Sequence, residues 1–146
     1  MASASISETI NAPLEAVFRV ITDYESYPEF LKETKGVTIK STKGKVKLVE
    51  FELDLIKKFH YVLRIEEVPN EKVSWTLESG DLFKKNVGGW DLEDLDGDTQ
   101  ATYHIDLEFK LLVPKIITKT LVGANLPAMM KGFKERAEAK SAVTDL

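Results

Sequence analysis

Between Val37 and Lys110 apolar residues recur at every second position in run after run, and no other feature of the chain restricts its fold as much. Val37 and Ile39; Val49, Phe51, Leu53 and Leu55; Phe59, Tyr61, Leu63 and Ile65; Val73, Trp75 and Leu77; Trp90 and Leu92; and Tyr103, Ile105, Leu107 and Phe109 all keep this spacing. In an extended chain it puts the members of each run on one face of a sheet. The residues between them, such as Arg64 and Glu66 or His104, Asp106 and Glu108, are polar. The sheet therefore has one covered and one wet face, the usual antiparallel arrangement. Turn signals at Lys43-Gly44, Pro69-Asn70 and Asp96-Gly97 join the runs, the aspartate-glycine pair suiting a two-residue turn, so the six strands form a meander. Gly88-Gly89 falls just before Trp90 and predicts a bulge or bend that curls the sheet.

The flanks read differently. Ile6 and Ile10 are spaced for one face of a strand within an N-terminal stretch of small and hydroxylated residues. Pro13 suits a first helical position, and Val17, Phe18, Val20 and Ile21 give the helix after it an apolar side. Ser26 and Pro28 mark a fresh start, predicting a second short helix that ends before Gly36. After the meander comes a long terminal helix with two apolar stripes. The first runs through Val113, Ile116, Ile117, Thr120, Leu121 and Ala124; the second, on a different face, through Val122, Leu126, Met129, Met130, Phe133 and Ala137. A kink at Gly123 and Pro127 is expected to absorb the difference, because proline removes one backbone bond and clashes with the preceding turn. The order is β-α-α-β6-α in a single α+β domain spanning residues 1–146. The helix has more apolar surface than one packed face needs: the second half is expected to cover the sheet and the first half to pack on the two short helices, or part of the surface to line a cavity left between helix and curled sheet, with the kinked front half as a lid.

At 146 residues, 43% apolar and 30% charged, the chain has the composition of an ordinary globular protein. Its net charge of −4 supplies no field for nucleic acid, so DNA is not an expected partner. The absence of cysteine removes disulfides and thiolate chemistry and suits a reducing compartment. MASASISETI lacks a basic segment followed by an apolar run, and a cytoplasmic location is expected.

Catalytic candidates are few. His60 and His104 share parity with outward residues, as do most of the strand acids among Glu50, Glu52, Glu66 and Glu67. Asp94-Leu95-Asp96-Gly97-Asp98 has its glycine too early for a calcium loop and reads as a hairpin turn. The lysine pairs Lys57-Lys58 and Lys84-Lys85 leave contact with an anionic membrane or a ribosome open. What remains for the covered side is aromatic and aliphatic: Phe51, Tyr61, Trp75, Trp90, Tyr103 and Phe109, opposed by Leu126, Met130 and Phe133. Such a lining suits a flat or long apolar molecule, with sparse orienting contacts from tyrosine hydroxyl and indole N–H groups. No nucleophile, metal cluster or cofactor loop accompanies it, so neither a catalytic residue nor a cofactor is expected.

Three stretches, INAPLEAVFRVITDYESYPEFL, GGWDLEDLDGDTQATYHIDLEF and VPKIITKTLVGANLPAMMKGFKERAE, cover most of the chain and carry a resemblance. The most specific part is Tyr27-Pro28-Glu29-Phe30. Together they resemble the coenzyme Q-binding and polyketide cyclase/dehydrase branch of the START-like, helix-grip superfamily (SRPBCC). The resemblance implies a birch-pollen-allergen-like fold, in which a curved antiparallel sheet of about seven strands wraps a long C-terminal helix around an apolar cavity. Its members include lipid and quinone carriers, aromatase/cyclases and a ribosome-association factor. Binding, and transport, of a hydrophobic small molecule such as a lipid, quinone or polyketide-like ring system is the leading expectation. A cyclase/dehydratase and a ribosome-association module are the alternatives.

Overall fold

The computed structural model describes residues 2–144. Strand β1 (Ala2–Ile10) is followed by helix α1 (Leu14–Ile21) and a 3-10 helix at Tyr24–Glu29. Six strands come next: β2 (Thr34–Lys43), β3 (Val46–Leu55), β4 (Lys57–Val68), β5 (Lys72–Gly80), β6 (Phe83–Asp94) and β7 (Thr99–Phe109). The terminal arm is α2 (Lys115–Lys119), a π-helical stretch at Thr120–Asn125, and α3 (Leu126–Thr144). One antiparallel sheet holds all seven strands in the order β1-β7-β6-β5-β4-β3-β2. The last six are the expected meander, and β1 closes the far edge by pairing with β7 from Ala2↔Leu107 to Ile10↔Thr99. This is the helix-grip architecture.

The inward set matches the period-two reading. Val49, Phe51, Leu53, Leu55, Phe59, Leu63, Ile65, Val73, Trp75, Trp90, Tyr103, Ile105 and Leu107 are all buried. The two-residue turn at Asp96-Gly97 forms, with both residues at positive φ and Leu95 N–H donating to the Asp98 carbonyl at 2.8 Å. The second short helix differs from expectation in being a 3-10 element that ends at Glu29, leaving residues 30–33 as an irregular passage into β2.

Gly88-Gly89 is not a bulge. Both residues stay in register with β7, opposite Ile105 and His104. They are there for close approach: a Cβ on Gly88 would lie 2.4 Å from the His104 carbonyl oxygen, and one on Gly89 would lie 2.4 Å from the Val73 carbonyl oxygen. The irregularity in β6 sits earlier, between Phe83 and Lys85. Further register shifts fall at Thr34/Gly36 and Ile39/Ser41 on β2 and at Glu78 on β5, opposite Val62 and Leu63. Each such extra residue bends and twists its strand, so the curl is distributed along the sheet. Strands β5 and β6 pair only from Lys72↔Asp91 to Trp75↔Gly88, beyond which they diverge.

The expected kink is also replaced. Pro127 has no N–H to give the carbonyl one turn back, and the backbone before it takes the wider π pattern. The turn so gained swings the apolar side from Ile117 round to Leu126, Met130, Phe133 and Ala137, all buried, whereas Ile116 of the first stripe is exposed. The far end of α3 is pinned to the sheet's edge and the 3-10 helix. Asn11 N–H donates to Glu138 Oε2 at 2.8 Å, Lys134 Nζ to the Thr9 carbonyl at 2.6 Å, and Arg136 pairs with Glu29 while its guanidinium lies 5.2 Å from the Phe30 ring centre.

Two outcomes are expected. Gly88→Val forces a side chain onto strand backbone that cannot yield and destabilises the fold by about 3 kcal/mol or more, read as a lower thermal midpoint. The N–H of Asn11 and the ammonium of Lys134 hold the Glu138 carboxyl below its ordinary range. A depressed pKa adds stability that is present above the unfolded-state value and is lost as pH falls through the folded one. Glu138→Gln therefore costs about 1 kcal/mol near neutrality, and urea titrations of the two proteins converge once the pH drops below the carboxylate range.

Candidate functional site

Between the sheet and the terminal arm lies a cavity of about 270 Å³. Its wall takes Phe51 and Leu53 from β3, Tyr61, Leu63 and Ile65 from β4, Val73 and Trp75 from β5, Phe83, Asn86 and Trp90 from β6, and Tyr103, Ile105 and Leu107 from β7. The arm contributes Leu121, Asn125, Leu126, Ala128, Met129 and Phe133, and the first helices contribute Ile21, Tyr24 and Tyr27. Exposed Lys32 and Ala128 belong to the same wall, which places the mouth between the 30–34 passage and the front of α3.

Of the nine residues predicted from parity and the second stripe, Phe51, Tyr61, Trp75, Trp90, Tyr103, Leu126 and Phe133 meet around this one space. Phe109 and Met130 do not. Phe109 lies past the end of the void and packs on Phe83 at 5.3 Å between ring centres. Met130 is buried in the core but off the wall, and Met129 takes the place expected of it. Phe133 is the hub of the aromatic packing, edge-on to Tyr27 at 5.1 Å, Phe30 at 5.2 Å and Trp90 at 5.1 Å.

The polar groups of the wall are few. Trp75 Nε1–H donates to Asn86 Oδ1 at 3.0 Å, a buried bond that spans the place where β5 and β6 part. Tyr27 donates its hydroxyl to the Ile21 carbonyl, and Tyr24 donates to Glu67 Oε2 at 2.6 Å, with Lys47 3.0 Å from the same carboxylate. Tyr61 and Tyr103 make no hydrogen bond among the described residues; burial pushes both phenols well above their usual range, so they are protonated donors and not bases. Asn125 Nδ2 is buried with no partner among the described residues. An unpaired buried amide is costly, and one on a cavity wall is available to an acceptor from outside the chain.

Asn86, Asn125, Tyr24 and Tyr27 were missed as wall residues. Asn86 was findable, since it shares parity with Trp90. Asn125 was not, because its direction depends on the π-helical stretch. Glu67 is the exception among strand acids expected mostly to face out: it continues the inward series of Leu63 and Ile65, though Tyr24 and Lys47 occupy it and it does not reach the cavity. Both histidines sit on the wet face, His60 Nε2 at 3.5 Å from Glu52 and His104 Nε2 at 3.2 Å from Asp91. Among the described residues no group of three metal-ligating side chains exists. No described helix is long and apolar enough to cross a membrane.

Solved structures with this fold span nearly the whole chain. TTHA0849 of Thermus thermophilus is 20% identical, covering 96% of this chain and 99% of its own, with a TM-score of 0.84. A START superfamily protein of Mycobacterium smegmatis is 22% identical over 94% and 98%, with a TM-score of 0.82. The Zhui aromatase/cyclase of a Streptomyces species is 17% identical over 95% and 94%, with a TM-score of 0.85. No curated protein sequence matches. The family model described as polyketide cyclase / dehydrase and lipid transport matches residues 10–134, and the chain belongs to that family.

Proposed function

We propose that the protein binds and carries a hydrophobic small molecule, one or two rings in size, that bears an oxygen acceptor at one end. The enclosed aromatic cavity with an unpaired amide in its wall carries this reading. At about 30 Å³ per water, the space equals roughly nine waters and lies at the small end of ligand pockets, which run from about 300 Å³ upward. A fused ring system suits it better than an extended acyl chain. Covering about 250 Å² of apolar ligand surface yields roughly 6 kcal/mol before the costs of association, so burial alone supports binding no tighter than about 40 μM. Asn125 Nδ2–H, with the hydroxyls of Tyr61 and Tyr103, would meet a carbonyl, quinone or phenol oxygen. Phe51, Trp75, Trp90, Leu126 and Phe133 would hold the apolar body.

The β5–β6 segment from Gly80 to Phe83 is tied down and offers no route to the cavity. Asp81 exchanges two hydrogen bonds with His60, and Leu82 is buried with its carbonyl taken by Lys110 N–H at 3.2 Å. The mouth beside Lys32 and Ala128 is the better route. Cyclase chemistry is the second reading, favoured by the presence of two phenol donors in the cavity; an inward base is missing among the described wall residues away from the mouth. A protein-interaction module of the ribosome-association type has no use for an internal void.

Native mass spectrometry of freshly purified protein is expected to show a bound small molecule, and extraction identifies it. Because Trp75 and Trp90 both face the cavity, naphthalene and 2-naphthol should quench their fluorescence on titration. Asn125→Leu is expected to weaken 2-naphthol about tenfold, the worth of one good buried hydrogen bond, while leaving naphthalene unchanged. Failure of both probes and of native mass spectrometry would remove the carrier reading. Turnover of a poly-β-ketone substrate, lost in Tyr61→Phe or Tyr103→Phe, would favour the cyclase.

A further inference from the structure

The antiparallel order gathers one set of strand termini at a single end of the sheet: the start of β2, the β3–β4 hairpin tip, the β5–β6 loop and the exit of β7. Four large apolar side chains stand in solvent there. Leu111 is 101% exposed, Leu112 95%, Ile56 77% and Ile116 61%. Side chains of this kind are normally covered, and four of them at one end of a sheet mark a contact surface. Ile56 is the more telling because it holds φ at +82°, a left-handed conformation that a β-branched residue adopts only under strain and that glycine would adopt freely.

Lysines outnumber the carboxylates around them, which are Glu33, Asp54, Asp81 and Glu108. Lys57, Lys58, Lys110, Lys115 and Lys119 are exposed at this end. None of the five makes an ion pair among the described residues, whereas Lys84 and Lys85, farther along β6, are matched by Glu108 and Asp106. The stretch Lys110–Lys119, KLLVPKIITK, contains no acid, in a chain whose net charge is −4. Exposed apolar side chains with an excess of unmatched ammonium groups among them complement a surface that is apolar just beneath an anionic layer.

We propose that this end of the molecule docks on an anionic lipid bilayer, with Leu111, Leu112, Ile116 and Ile56 entering the headgroup region and the lysines meeting the anionic headgroups. Residues 32–34, at the mouth of the cavity, lie at the same end, since Thr34 pairs with Leu53 just before the hairpin tip. Docking so oriented brings the mouth to the lipid surface and supplies a source or destination for the ligand. It does not require a filled cavity, so its failure leaves the binding reading intact, and failure of ligand binding leaves docking intact.

Co-sedimentation with sucrose-loaded vesicles tests it. The protein is expected to pellet with phosphatidylcholine vesicles containing phosphatidylglycerol and to stay in solution with phosphatidylcholine alone. Binding should fall about fivefold for each lysine removed in Lys115→Gln and Lys119→Gln. It should vanish near 1 M salt, where the screening length is about 3 Å. The double variant Leu111→Asp, Leu112→Asp should lose binding more than tenfold while keeping its thermal midpoint and its titration with 2-naphthol, because neither side chain touches the core. Ile56→Gly should weaken binding and raise the midpoint together, which a merely structural isoleucine would not do. Equal binding to neutral and anionic vesicles, or no effect of the leucine and lysine variants, would overturn the proposal. So would sedimentation equilibrium showing a dimer that the leucine variants dissociate, since the surface would then belong to a second copy of the chain.

Discussion

A single helix cannot cover one face of a seven-stranded sheet. Strands about 4.8 Å apart make a face roughly 29 Å wide across six spacings, and a helix with its side chains is about 10–12 Å thick. Curling the sheet narrows the gap without closing it, so large side chains from both sides must reach into what is left. Phe133 does this from the arm, meeting Tyr27, Phe30 and Trp90 at once. The first helices fill one flank with Ile21 and the two tyrosines after it. The remainder is the cavity, which follows from the mismatch in width together with the choice of aromatic residues that line the space without filling it.

The point where β5 and β6 part shows how such a sheet stays intact while it bends. Four residue pairs join the two strands, and past Trp75 the ladder stops. Backbone groups released this way inside a protein need partners, and polar side chains aimed inward need them too. The indole N–H of Trp75 and the amide of Asn86 satisfy each other across the opening. Gly88 and Gly89 allow the neighbouring backbones to come close enough for the pairing on either side. A buried asparagine is thus part of the sheet's construction, and it leaves Asn125, with Tyr61 and Tyr103, as the wall residues whose donors have no use among the described residues.

The fold was legible because a period of two is a strong signal when it repeats six times. Parity alone put Phe51, Tyr61, Trp75, Trp90 and Tyr103 on the inner face. What parity does not carry is a change of phase inside a strand. The extra residue between Phe83 and Lys85 lets Phe83 and Trp90, of opposite parity, face the same way, and the glycine pair drew attention to the wrong place. Phe109 has the right parity but stands beyond the end of the void, a matter of where the arm begins its return and not of which way a side chain points. Met130 and Met129 exchange roles for a related reason. A helical stripe predicts which side is buried; the π-helical stretch rotates everything after it by an amount that packing decides.

The arm itself is unevenly held. Its far half has buried Leu126, Met130, Phe133 and Ala137 and three polar ties to β1, the β1–α1 corner and the 3-10 helix. Its near half has one buried side chain in α2, Ile117, and none in the π-helical stretch. Local opening costs least where few apolar contacts must be broken and the backbone bonds are the poorest. The near half meets both conditions, and its Leu121 and Asn125 line the cavity. It also carries Ile116 at the end where the exposed leucines and unmatched lysines gather. A surface that binds those side chains binds the part of the arm that the fewest buried side chains hold. The free energy of docking is then available to shift the arm's position, provided that the surface favours the displaced form over the closed one.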